Sequence, residues 1–198
     1  EYGGMVIDEE SKKTRKFTEV LEHLIGDDPR NWVDDQVKQS DLNPYLYPQK
    51  DDLRKVGVRA FYYSYYFKWS MFNNYKFIKT KINFQTHHEC RTPGTFTDFD
   101  SLDDKSDNLY YYMQFIKFGF GRAIRDASRL IQNKQMTREE GLELVRKYDG
   151  EYPDEHLSEM LDYLRLTVEE FSEIVDKHRN PEIWTKEGDK WSLKYPPE

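Results

Sequence analysis

The chain has 198 residues and a mass of 24.0 kDa, enough for one ordinary domain or two small ones with a real core. Its 37 acidic and 30 basic side chains leave a net charge of −7, which argues against coating nucleic acid, because phosphate binding needs a basic face. The longest uncharged apolar run, the eight residues 60–67, is far short of the roughly 18–20 that cross a bilayer, so no membrane insertion is expected.

In chain order, residues 1–55 are strongly charged and end in Asn43-Pro44-Tyr45-Leu46-Tyr47-Pro48, whose two prolines forbid a regular helix. Within them, Phe17, Val20, Leu21 and Leu24 share one helical face and predict a helix over 14–24 that ends at Gly26. Residues 56–66 are β-branched and aromatic and predict a buried strand. A short segment near 73–80 follows. The polar stretch 87–100 is then dense in turn formers, a long loop of the kind that carries function.

From residue 107 the pattern is helical. One helix is predicted over 107–132, with Met113, Ile116, Ala123, Ala127, Leu130 and Ile131 inward. Thr137-Arg138-Glu139-Glu140 has the spacing of a capping box, and Gly150 closes that helix. A third helix after Pro153 puts Leu157, Met160, Leu161 and Leu164 on one face. A second capping box, Thr167-Val168-Glu169-Glu170, opens a fourth helix with Phe171, Ile174, Val175 and His178 inward. Residues 183–195 alternate around a Gly-containing turn and predict a hairpin.

Several residue groups have chemical potential. Asp98, Asp100, Asp103, Asp104 and Asp107 supply hard oxygens suited to Mg²⁺, but the Gly and Glu of a calcium loop are not in place. The other reading is a solvated loop with an acidic helix start. Arg122, Arg125 and Arg129 fall on one helical face, with Lys117 a turn earlier, and guanidinium forks match phosphate or carboxylate oxygens. Against this stands a solvated face with Arg122 paired to Asp126; the glycines of Phe118-Gly119-Phe120-Gly121, costly inside a helix, imply a close backbone approach or a break. In the aromatic run from Phe61 to Tyr75, most rings belong to a core, and Tyr66 and Trp69, at the end of the expected strand, are the candidates for stacking on a ligand. His87, His88, Glu89 and Cys90 resemble a ligand cluster. Adjacent residues on an extended chain point to opposite sides, however, so at most two can share a metal. The single cysteine forms no internal disulfide and fits a reducing compartment. No nucleophile elbow or phosphate-cradling glycine loop occurs.

The segments Glu1-Tyr2-Gly3-Gly4, Tyr65-Tyr66-Phe67-Lys68-Trp69-Ser70, Gly94-Thr95-Phe96-Thr97-Asp98, Ser101-Leu102-Asp103-Asp104-Lys105, Lys117-Phe118-Gly119-Phe120-Gly121-Arg122 and Arg125-Asp126-Ala127-Ser128-Arg129 resemble, in this order, the C-terminal half of N-acetyl sugar amidotransferases. So do the start at Thr137 and the Asn180-Pro181-Glu182-Ile183-Trp184 tail. These are ATP pyrophosphatase-loop enzymes that build acetamidino sugars for lipopolysaccharide O-antigens and for pseudaminic-acid-type nonulosonic acids. The resemblance implies a two-step reaction: Mg-ATP adenylates the acetamido oxygen of a nucleotide-linked sugar, and ammonia from a glutaminase subunit displaces AMP. On that reading Asp98, Asp103 and Asp104 hold Mg²⁺ or shape the pocket, while Tyr66, Trp69, Thr95, Lys105, Arg122, Arg125 and Arg129 contact substrate or phosphate. Alanine at Arg125 is expected to cost activity and leave the fold intact.

The resemblance also implies a mainly helical α+β architecture. Residues 1–107 would continue an α/β nucleotide-binding domain whose sheet has few strands here, 108–180 would be the helical region, and 181–198 a hairpin tail. The family's Ser-Gly-Gly-x-Asp-Ser ATP loop and its paired-cysteine motif do not occur in the sequence and are expected upstream of Glu1. The chain by itself is then expected to be inactive, within a cytoplasmic enzyme that does not bind nucleic acid. The alternative is a non-catalytic module that binds a glycan or a partner protein.

Overall fold

The structure, a computed structural model, describes residues 28–46, 48, 50–57 and 63–198. The helix expected over 14–24 lies outside them. The chain divides into two compact units, Glu1–Trp69 and Ser70–Glu198.

In the first unit, short helices run over Gln39–Leu42 (α1), Lys50–Val56 (α2) and Tyr63–Tyr66 (α3), and Pro44 sits in a 3-10 turn, Asn43–Tyr45. The strand expected over 56–66 is not what forms at its two ends: Val56 closes α2, and 63–66 is helical. Local pairing explains the correction. Arg54–Asp51 at 3.2 Å and Lys55–Asp52 at 3.5 Å are helical neighbours, and Tyr63 stacks on Phe67 at 5.0 Å, an i,i+4 aromatic pair. A strand there also needs a partner, and the described residues hold a single two-stranded sheet at the other end of the chain.

The second unit carries α4 (Met71–Lys79), α5 (Asp107–Phe118), α6 (Arg122–Gln132), α7 (Arg138–Tyr148), α8 (Leu157–Leu164), α9 (Val168–Lys177) and the hairpin β1 (Trp184–Glu187) and β2 (Lys190–Leu193). The short segment near 73–80 is thus a helix, opened by Ser70, whose hydroxyl accepts from the Asn73 amide at 3.2 Å. The described fold is mainly helical with one antiparallel hairpin, in which Trp184 faces Leu193 and Glu187 faces Lys190.

The helix predicted over 107–132 is two helices. Gly119 ends α5 with φ of 74° and donates its amide to the Phe115 carbonyl at 2.8 Å. A methyl group there would meet Ile183 at 2.7 Å, so the position needs glycine twice over. Both expected capping boxes form: Thr137 with Glu140 opens α7 and Thr167 with Glu170 opens α9.

Two apolar clusters result. Ile116, Leu157, Leu161, Phe171 and Val175 join α5, α8 and α9. Ala123, Ala127 and Val145 join α6 and α7, with Phe96 from the long loop packed against them. Of the residues expected inward, Met160 and Ile174 are half-buried, whereas Leu164 and His178 are exposed. Trp184 seals the first cluster edge-on to Phe115 at 5.3 Å, and its indole N–H donates to the Ile116 carbonyl at 2.7 Å. No helix among the described residues is long and apolar enough to cross a membrane.

Candidate functional site

The long loop is ordered by its own hydrogen bonds. Thr92 donates its amide to Thr97 O at 2.9 Å, Thr95 donates back to Thr92 O at 3.3 Å, and His87 donates to Asp98 O at 2.7 Å. Arg91 grips Glu151 with two bonds of 2.6 Å, and Glu151 also accepts from the Gly94 amide at 2.8 Å. Arg91 thereby holds the Glu151 carboxyl below the ordinary range.

This loop lies over the first turns of α6. Thr95 and Thr97 lie on the bend closed by the loop's own bonds, and both hydroxyls donate to Asp126 Oδ2 at 2.7 and 3.0 Å. Thr95 is fully buried, and Asp126 is buried with it. Arg125 donates its Nε to the other oxygen of Asp126 at 3.0 Å and also bonds Asp100 and the Tyr111 hydroxyl. Burial opposes its charge, but Asp126 and Asp100 outweigh that and hold the guanidinium above its usual value.

Arg122 is 1 % exposed. It donates to the Asp100 carbonyl and stacks on the Tyr111 ring at 4.9 Å; Arg125 lies over the same ring at 4.8 Å. Burial, reinforced by Arg125, lowers the Arg122 pKa, with Asp126 opposing. Its Nε and Nη1 have no hydrogen-bond partner among the described residues. The row read as one basic helical face is therefore split. Arg122 and Arg125 turn inward onto Tyr111 and two aspartates, and Arg129 reaches Met71 Sδ at 3.2 Å. A cleft of about 30 Å³, room for one water, opens beside Arg129, Thr97, Asp126 and Ser70.

The start of α6 is fixed from α7. Asp149 accepts from the amides of Gly121, Ala123 and Ile124 at 2.8, 2.9 and 3.3 Å, and a methyl at Gly121 would meet that carboxylate at 2.9 Å. Burial raises the Asp149 pKa against the pull of these amides.

Asp98, Asp104 and Lys105 are held by other partners. Among the described residues, Asp98, Asp103 and Asp104 do not converge as a cation-binding group; the Ser106 hydroxyl and amide engage Asp104 and lower its pKa. Lys105 pairs with Glu159 at 2.8 Å, at the edge of an apolar groove of about 480 Å³ formed by Tyr110, Met113, Met160 and Tyr163. Tyr66 and Trp69, both exposed, belong to the first unit, and Tyr66 ends a helix rather than a strand.

Sequence reasoning missed Thr97 and Tyr111 and gave Asp126 only as a surface partner. The available signal was Thr-Phe-Thr, two hydroxyls around an aromatic ring within a loop dense in turn formers. A family model described as LPS biosynthesis protein WbpG-like, C-terminal domain, matches residues 93–195, the stretch that holds most of this cluster. No curated protein matches the chain.

Proposed function

The chain belongs to the WbpG-like C-terminal-domain family of lipopolysaccharide biosynthesis proteins, and from that premise we propose that it is the substrate-recognising part of an N-acetyl sugar amidotransferase. The reaction turns the N-acetyl group of a nucleotide-linked sugar into an acetamidino group. The acetamido oxygen takes AMP from ATP with loss of pyrophosphate, and ammonia from a glutaminase partner then displaces AMP. Products of this class serve O-antigen and pseudaminic-acid-type glycans, and ATP and nucleotide sugars place the work in the cytoplasm.

The observation that carries the reading is the arginine cluster. Arg122 and Arg125 face Asp100 and Asp126, and two buried donors of Arg122 are left over. Buried guanidinium donors held in place in this way suit phosphate oxygens or negative charge that develops on a reacting group. ATP and Mg²⁺ supply the activation step. Asp98, Asp103 and Asp104 do not converge as a group of three among the described residues, and no step is assigned to them.

The test measures amidine formation by mass spectrometry, with ammonium salts as nitrogen source and the chain joined to a family domain that bears the Ser-Gly-Gly-x-Asp-Ser loop. Arg129→Ala, at the cleft, is expected to raise KM for the nucleotide sugar about tenfold, roughly 1.4 kcal/mol, with thermal unfolding unchanged. An unchanged KM would remove the assigned role. The apolar groove beside Lys105 favours a second reading, a glycan- or partner-binding module. That reading predicts binding without ATP-dependent turnover.

A further inference from the structure

Three of the five histidines converge on one carboxylate outside the arginine cluster. His87 Nε2 lies 3.0 Å from Glu155 Oε1, and His156 Nε2 lies 3.7 Å from the same oxygen. A donor atom of His88 completes a set, with His87 and Glu155, whose atoms all lie within 4.8 Å of one another. The sequence offers His87 and His88 within a ligand cluster of which at most two members can share a metal, and gives no sign of Glu155. Here the chain turns instead: Cys90 donates its amide to the His87 carbonyl at 3.2 Å, and the two imidazole rings stand 4.5 Å apart. Glu155 arrives from the connection between α7 and α8, and its second oxygen accepts from Asn108 at 3.5 Å.

We propose that His87, His88 and Glu155 bind a divalent transition-metal ion of the zinc class. Two imidazoles and a carboxylate are the donors such ions take, with a fourth position left for water or for His156. Tetrahedral bonds of about 2.0–2.1 Å separate ligand atoms by roughly 3.3 Å. The His87–Glu155 pair is already near that spacing. His88, with a side chain 74 % exposed, is free to rotate inward. Coordination through His87 Nε2 moves the ring proton to Nδ1, which gives up the long 3.3 Å contact from the Glu89 amide. Glu89 is exposed, so water replaces that bond. The Asn108 bond holds the carboxylate in the manner of an outer-shell partner.

The test titrates the purified, chelator-treated chain with Co²⁺, followed by its visible d–d bands, and then displaces it with Zn²⁺. The wild type is expected to take up one equivalent, and Zn²⁺ is expected to raise its unfolding temperature. His88→Ala removes an exposed ligand and so leaves the metal-free fold unchanged; it is expected to weaken binding at least about tenfold and to abolish the thermal shift. His178→Ala and Cys90→Ser are expected to bind as the wild type does. The proposal is overturned by an absence of saturable binding near equimolar metal, by wild-type binding in both His88→Ala and the His87→Ala/His88→Ala pair, or by binding that depends on Cys90 and not on His88.

Discussion

The Thr95 hydroxyl donates to the Asp126 carboxylate at 2.7 Å across 31 residues of chain, with both groups buried. That bond ties the tip of the long loop to the second turn of α6. Asp126 also takes Thr97 and Arg125, so one carboxylate joins the loop, the helix and the arginine pair. Replacing it with Asn keeps the shape and removes the charge that compensates Arg125. Asp126→Asn is expected to cost about 1.5–3 kcal/mol in urea unfolding, the cost of weakening hydrogen bonds to a charged group, because Arg125 keeps Asp100 as its second carboxylate. Thr95→Val should cost about 1–2 kcal/mol, and the double variant should cost less than the sum. Strict additivity would mean that the two residues do not act together.

Acid should weaken the Arg91–Glu151 clasp. Glu151 is lowered from its ordinary 4.5, chiefly by Arg91, so its stabilisation is fully present above about 4.5 and is lost as the pH falls through the folded value. The difference in unfolding free energy between wild type and Glu151→Gln is expected to be largest near neutrality and to shrink on acidification. Asp149 has the opposite sign. Burial raises it above 3.8, so its share is present below that value and fades as the pH rises through the folded one. A pH series on Asp149→Asn therefore slopes the other way.

Gly119→Ala is expected to destabilise by about 2–4 kcal/mol, combining a positive φ with overpacking. The added methyl would sit 2.7 Å from Ile183 and 3.1 Å from Leu193, so the hairpin must shift. Intrinsic fluorescence, to which Trp184 contributes, should report that movement. Wild-type stability with an unchanged emission maximum would show that the turn tolerates a side chain.

The two capping boxes give a simpler case. Each threonine hydroxyl accepts from an amide three residues on, at 3.2 Å for Thr137 and 3.1 Å for Thr167. Alanine at either position should cost about 1 kcal/mol in thermal unfolding. Serine should restore most of it, because only the hydroxyl makes the cap bond.

Where the signal was local, the chain could be read directly. A threonine with a glutamate three residues later, an apolar face repeating at helical spacing, and alternation about Gly188 each depend on near neighbours, and α7, α8, α9 and the hairpin formed accordingly. Residues 56–66 misled because β-branched and aromatic content describes a half-buried surface and not a backbone state. The ends of that run lie in helices held by pairs three and four residues apart, Lys55 with Asp52 and Tyr63 with Phe67. The arginines misled for a related reason: spacing places them on α6, but the fate of that face depends on a loop 22–31 residues earlier in the chain. Glu155 is farther still, 68 residues from His87, and no window of sequence joins them.

The bond from the Trp184 indole to the Ile116 carbonyl spans 68 residues, and this imposes an order on biosynthesis. As the nascent chain leaves the ribosome, α5 emerges long before the ring that caps its exposed carbonyl and covers Phe115. Until residues 184–193 have followed, the first apolar cluster stands open on one side, and α5, α8 and α9 are held only by their mutual contacts. A chain that stalls before Trp184 would therefore display that open face to chaperones and proteases, whereas a chain that passes it closes the unit.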